Sequence, residues 1–190
     1  MEIYDISQEL FTCRVFPGDE RPKYEKAMDI KRGDICNLTV LHMCAHNGTH
    51  VDAPYHFIDR GKTIDQIDLS RVIGECTVVE HEGILTRADV CRIMLNAKKR
   101  ILLKGNVVVS LEAAQEFNQF GVLLVGNESQ TVGPEDSPMQ VHLELLGSEV
   151  ILLEGINLSN VSEGDYILFA APLNLGGADG APCRAVLVRL

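Results

Sequence analysis

Tryptophan is absent from the 190 residues, and aromatic side chains of any kind make up only 5%. With four Tyr and six Phe, few rings are available to stack on nucleic-acid bases. Positive charge is in deficit as well. Lys and Arg number 17 against 27 Asp and Glu, a formal net charge of −10. A phosphate backbone or an anionic membrane needs a basic face, so neither nucleic acid nor membrane is an expected partner. No apolar run approaches the roughly 18 residues of a membrane span. The N-terminal Met1-Glu-Ile-Tyr-Asp5 lacks the basic and apolar regions of a secretion signal, and a cytoplasmic protein is the expectation. Cys13, Cys36, Cys44, Cys76, Cys91 and Cys183 form no C-x-x-C pair, so a thiolate zinc cage is ruled out. They read as buried free thiols in a reducing compartment. No repeat, low-complexity tract or Pro/Gly/Ser-rich linker divides the chain, and a single domain over residues 1–190 is expected.

What is present is apolar material for a core, 46% of residues, arranged as short β-type runs alternating with helical patterns. Strands are expected at Glu2–Ile6, Asn37–Met43, Cys76–Glu80, Arg100–Leu103, Val122–Val125, Val150–Leu153, Tyr166–Ala170 and Ala185–Val188. Helices are expected at Thr86–Leu95, where Thr86 and Asp89 form a capping-box pattern, at Ser110–Phe120, ended by Gly121, and at Met139–Leu146, ended by Gly147. Strand–helix alternation in the second half implies an α/β domain with parallel pairs. The strand-rich first half implies a mixed sheet. Gly176-Gly177 reads as a turn.

Four of the six histidines fall between positions 42 and 56. Neutral imidazole is the commonest metal ligand near neutral pH, and carboxylate is a good second donor. If Thr49–Ala53 is extended, His50 and Asp52 share a face. Pro54 favours extension at Ala53, and Gly48 permits a tight course that swings His46 toward the same point. His46, His50 and Asp52 are therefore candidate ligands of one metal. His56, beyond Pro54, stands at the rim, where a general acid or base is useful. Asn47 and Thr49 are either hydrogen-bond partners of the ligands or turn residues. His42 shares a strand face with Val40 and reads as packing, and His81 reads as a surface residue. His142 sits on a helical stretch, and Glu154 ends the apolar run Val150–Leu153. A carboxylate there needs a partner; a metal would serve, and so would an ordinary hydrogen-bond donor.

The string His46-Asn-Gly48-Thr49-His50-Val-Asp52-Ala-Pro54-Tyr-His56 resembles H-x-G-T-H-x-D-x-P-x-H, the hallmark of the metal-dependent cyclase family, which includes the bacterial kynurenine formamidases. The resemblance extends to Phe16-Pro-Gly-Asp19, Leu123–Gly126, His142, Leu153-Glu-Gly155 and Asp179-Gly-Ala-Pro-Cys-Arg184. It implies a swivelling β/β/α domain, usually a homodimer or larger, with two divalent ions, Zn2+ or Mn2+. By the same resemblance His46, His50 and Asp52 hold one ion, Asp52 bridges to a second held by His142 and Glu154, and His56 is the acid–base residue. The implied reaction is water attack on a small-molecule amide, N-formylkynurenine giving kynurenine and formate. A cyclic amide such as isatin, another small amide or ester, or a silent metal-binding protein are the alternatives. Two departures fall near the expected substrate. Phe16 stands where formamidases place Trp and is a candidate substrate contact, and Gly126–Gly133 has a different wording.

Overall fold

The computed structural model describes residues 1–189. In chain order the strands are β1 (Glu2–Asp5), β2 (Lys23–Met28), β3 (Leu38–His42), β4 (His50–Asp52), β5 (Ile73–Glu80), β6 (Gly83–Leu85), β7 (Arg100–Lys104), β8 (Val107–Val109), β9 (Leu124–Asn127), β10 (Ile151–Glu154), β11 (Gly164–Phe169), β12 (Gly180–Pro182) and β13 (Val186–Arg189). The helices are α1 (Arg87–Ile93), α2 (Leu111–Gln119) and α3 (Met139–Gly147). Nine strands form one mixed sheet in the order β1-β13-β11-β5-β7-β9-β10-β4-β12. The central pairs β5–β7, β7–β9 and β9–β10 are parallel, and the flanking pairs are antiparallel. This is the mixed α/β architecture expected from the sequence.

Period-two alternation in the central strands sends successive side chains to opposite faces. Ile101 and Leu103 of β7 and Leu152 of β10 pack on the helix side with Phe117 of α2 and Leu145 of α3. Their neighbours Leu102, Ile151 and Leu153 face a second cluster. That second cluster joins Val51 and Ala181 from one end of the sheet to Leu168 and Leu187 from the other. The sheet therefore curls and closes on its own far face, while helices cover the near one.

The capping signals read from the sequence are made. Thr86 Oγ1 accepts from the Asp89 N–H and the Asp89 carboxylate accepts from the Thr86 N–H, 3.0 Å. Ser110 Oγ accepts from the Ala113 N–H at 3.1 Å. Each such cap satisfies helix N–H groups that have no partner inside the helix. Gly176 and Gly177 lie in a turn.

Some expectations need correction. β9 starts at Leu124 and runs to Asn127, and β10 takes Glu154 into the strand. β2 was hidden because Lys23-Tyr-Glu-Lys-Ala-Met28 is charged and exposed. β6, β8 and β12 hold three residues each, too few to display a period. His42 does not pack: all five β3 residues are exposed, and His42 Nε2 lies 3.9 Å from Glu25 of β2. Nor are all the thiols buried. All six are free, but Cys36 is exposed.

Candidate metal-dependent active site

The site begins with a register. In the antiparallel pair β4–β10, His50 lies opposite Glu154 and Asp52 opposite Leu152. Opposed residues share a face, so the polar groups of β4 and β10 point to the helix side with Leu152, where α3 packs. His142 emerges from α3 between Val141 and Leu145. His50, Asp52, His142 and Glu154 are all buried. A left-handed turn at Gly48, φ +67°, bends the chain ahead of β4, so that His46 returns onto Asp52 with Nδ1 2.8 Å from Oδ1.

Backbone carbonyls fix two of the imidazoles. His50 Nδ1 lies 3.0 Å from the Gly48 carbonyl, and His142 Nδ1 lies 2.9 Å from the Pro138 carbonyl. A carbonyl only accepts, so each Nδ1 carries the hydrogen and each Nε2 faces the carboxylates. His50 Nε2 stands 3.3 Å from Asp52 Oδ1 and 3.6 Å from Glu154 Oε2. His142 Nε2 stands 3.3 Å from Glu154 Oε1 and 3.7 Å from Asp52 Oδ2. The Val132 N–H donates to Glu154 Oε1 at 2.8 Å and holds that side chain in place.

This arrangement fits a divalent ion. Two lone-pair nitrogens aimed at two carboxylates repel unless a cation or protons lie between them. Donors at ~2.0–2.2 Å around one tetrahedral ion stand roughly 3.3–3.6 Å apart, and the His50 and His142 Nε2 atoms lie 3.3–3.7 Å from the Asp52 and Glu154 oxygens. Asp52 Oδ2 is buried with no hydrogen-bond partner, an expense a bound cation removes. Asp52 also belongs to two triads whose ligand atoms lie within 4.8 Å of one another, His50-Asp52-Glu154 and His46-Asp52-His56.

Protonation follows the same charges. Burial lowers the pKa of His50, but Asp52 and Glu154 outweigh it and hold it well above the ordinary value. His142 is raised in the same way against its burial, by Glu154 and Asp52, and His46 by Asp52 and Asp179. Burial would raise Asp52, yet His46 and His50 bring it well below the ordinary value. His56 differs: burial dominates and its pKa is lowered, which favours a neutral ring able to accept a proton.

His56 ends the short 3-10 turn Pro54–His56. Its ring stacks on His46 with centroids 4.0 Å apart. Its Nδ1 lies 3.2 Å from Asp179 Oδ2, and the same oxygen lies 3.0 Å from His46 Nε2. A hollow of about 200 Å3 opens over the cluster, lined by Phe16, Asp19, Phe57, Gln130, Thr131 and Pro138 beside the histidines and Glu154. Two larger hollows, about 620 and 500 Å3, lie elsewhere and contain no histidine. The chemistry places the site in the smaller one.

All six residues singled out from the sequence, His46, His50, Asp52, His56, His142 and Glu154, are thus brought together, and Phe16 borders them. Thr49 and Asn47 do not bond the ligands. Thr49 Oγ1 donates to the Gly155 carbonyl at 2.6 Å and accepts from the Gln8 N–H, while Asn47 Oδ1 accepts from the Cys44 N–H. His81 lies apart, half-buried near Ile84. Sequence reasoning assigned no role to Asp179. It is 123 residues from His56, and its one visible signal is its place at the head of Asp179-Gly-Ala-Pro-Cys-Arg184, a segment that shares the family resemblance.

Similarity to known proteins places this geometry. The family model described as "Putative cyclase" matches residues 4–133. A kynurenine formamidase of Erythrobacter litoralis (strain HTCC2594) is 31% identical over 99% of this chain and 94% of its own length. The solved structure of a "Potential Metal-Dependent Hydrolase With Cyclase Activity" superposes with a TM-score of 0.85 at 26% identity, covering 98% of this chain and 96% of that one. Isatin hydrolase A from Labrenzia aggregata, bound to benzyl benzoate, has the same fold, with a TM-score of 0.82 at 20% identity over 98% and 93% of the two chains. The class is a hydrolase that works with a divalent metal. More particularly, the chain belongs to the cyclase family.

Proposed function

We propose that this chain hydrolyses the C–N bond of a small non-peptide amide, with an N-formyl arylamine, N-formylkynurenine, as the substrate to try first. One observation carries the reading. A buried His50-Asp52-His142-Glu154 cluster with an unpartnered Asp52 oxygen lies beside a half-buried histidine whose ring is already anchored. The curated relatives named kynurenine formamidase support the substrate.

In this proposal His50 and Asp52, with His46, hold one divalent ion, zinc or manganese. His142 and Glu154 would hold a second together with Asp52, since His142 Nε2 stands 3.3 Å from Glu154 Oε1 and 3.7 Å from Asp52 Oδ2. Such ions make water more acidic and polarise a carbonyl. The protein's own groups do the rest. His56 Nε2, free of the Asp179 contact, takes a proton from the attacking water and returns it to the leaving nitrogen, so acid and amine are released together. Phe16 and Phe57 form an apolar wall that confines the substrate and excludes bulk water.

A second reading has its own support. The hollow of about 200 Å3 is below the ~300–1,000 Å3 of sites for drug-sized ligands. That favours a compact cyclic amide of the isatin type over a long-tailed formamide. The test is to load the protein with zinc or manganese and follow release of kynurenine from N-formylkynurenine. Turnover that vanishes with a chelator and in His56→Ala supports the formamidase reading. Turnover of isatin alone shifts the assignment to the cyclic amide. A metal-loaded protein inert toward both and toward a panel of small amides and esters overturns the hydrolase proposal in favour of a silent metal-binding protein.

We also propose that the working form is a homodimer. The hairpin β2–β3 leaves Tyr24, Ile30, Leu38 and Leu41 exposed, with Ile35 92% exposed near its tip. A two-stranded hairpin is marginal in water without cover, and a second copy would supply it.

A further inference from the structure

We propose that Asp179 is the positioning residue of this site, setting the tautomers of His56 and His46 together through one carboxylate oxygen. Oδ2 lies 3.2 Å from His56 Nδ1 and 3.0 Å from His46 Nε2. The two rings are stacked, centroids 4.0 Å apart and planes 26° apart, so both present a nitrogen to the same point. A carboxylate oxygen accepts and does not donate. His56 therefore carries its hydrogen on Nδ1 and keeps Nε2 bare. By the same rule His46 donates Nε2–H to Asp179, while in the metal-free chain its Nδ1 also donates, to Asp52 Oδ1 at 2.8 Å, so Nδ1 is the nitrogen that loses its hydrogen when a cation takes that proton's place. A metal-ligating imidazole whose other nitrogen donates to a carboxylate is the arrangement that sets ring orientation and strengthens the donor.

Main-chain bonds hold Asp179 in register with the ligands it serves. Its carbonyl accepts from the Ala53 N–H at 2.9 Å, one residue after Asp52. The next residue, Gly180, pairs with Asp52 in the β12–β4 ladder. The carboxylate is thus carried on the same strand pair that carries the metal donors. Its side chain is 43% exposed, so truncation removes little packing, and a loss of function in the variant does not reduce to misfolding.

The proposal rests on the hydrolase reading only for its effect on turnover. The tautomers themselves are open to direct measurement. The zinc-loaded, 15N-labelled protein is compared with Asp179→Ala and Asp179→Asn by the ring-nitrogen shifts of the histidines. Zinc affinity is read by competition with a chromogenic chelator, and kcat and KM are read on an amide the wild type turns over. In the wild type the expected signature is Nδ1–H with bare Nε2 for His56, and Nε2–H for zinc-bound His46. In Asp179→Ala, His56 exchanges between tautomers, zinc binds about 10- to 100-fold more weakly, and kcat falls with KM held. Asp179→Asn, which keeps an oxygen acceptor, falls between the two. A wild-type His56 protonated on Nε2 overturns the proposal. So does an Asp179→Ala protein with unchanged tautomers and zinc affinity. A wild type with the expected tautomers that hydrolyses no amide supports the positioning role and counts against the hydrolase reading alone.

Discussion

Gly180→Ala adds a single methyl group and should disable the site while leaving the fold standing. A Cβ built at Gly180 meets His46 Cε1 at 2.6 Å and the Val51 carbonyl oxygen at 3.0 Å. Carbon atoms in good contact stand ~3.5–4.0 Å apart, so the shortfall at the ring is about 1 Å. Val51 is paired with Ala181 inside the β4–β12 ladder, and its carbonyl cannot retreat without breaking the ladder. The ring must move instead. His46 is held between Asp52 at 2.8 Å and Asp179 at 3.0 Å. A shift of about 1 Å takes at least one of these bonds beyond the ~3.2 Å limit of a good hydrogen bond. Overpacking of this kind costs about 1–3 kcal/mol of stability, which a domain of ordinary stability survives. A misplacement of about 1 Å near the chemistry costs on the order of 100-fold in rate. The assay pairs thermal unfolding with zinc affinity and turnover of the best amide substrate. The control is Gly176→Ala, where an added Cβ meets nothing within 4 Å and no change is expected. A Gly180→Ala protein that binds zinc and turns over like the wild type would refute the argument, because His46 would then not be needed where it sits.

Two further expectations concern protons and partners. In the metal-free chain the raised pKa values of His50 and His142 mean that the folded state holds more protons than the unfolded state above the ordinary histidine value of about 6.5. That stabilisation is fully present below about 6.5 and is lost as pH rises through the folded values, so the Tm of the chelated protein should fall as pH is raised above about 6.5. Zinc competes with the same protons, and its affinity should rise over the same range; a metal-free Tm that climbs instead, measured by scanning calorimetry, would sink the picture of proton-filled ligands. For the hairpin, sedimentation should report the mass of two chains for the wild type and of one chain for Leu41→Asp combined with Ile35→Asp, and a wild type that sediments as a single chain would remove the dimer.

The difference between what the sequence displayed and what it concealed follows from how far each contact reaches along the chain. His46, His50, Asp52 and His56 lie within eleven consecutive residues, so the period of an extended strand and one glycine turn were enough to bring them together. Helices α1 and α2 were legible because their caps are local, Thr86 with Asp89 and Ser110 with Ala113. Strands β7 and β10 were legible as apolar runs because both of their faces are buried. The meeting of His142 with Glu154 needed the resemblance, since it depends on α3 packing over β10, and neither run carries a mark of that partner. β2 escaped because its surface is exposed and polar, so burial left no pattern on it.

Asp179 is the hardest case. Its two contacts span 123 and 133 residues, and although Asp179 opens a segment that shares the family resemblance, that segment carries no mark of the histidines as its partners. The β12–β4 ladder, three residue pairs long, and the Ala53 N–H bond to the Asp179 carbonyl beside it bring it to the histidines. The metal donors are therefore supplied by one local segment joined to β10 and α3, while their orientation depends on the last short strand pairing at the edge of the sheet. If that pairing frays, the donors remain close to one another but His46 and His56 lose the carboxylate that fixes their rings. This separation makes a physical demand on folding. A chain with β4, β10 and α3 in place should already bind a divalent ion weakly, and it should become competent for proton transfer only when β12 docks.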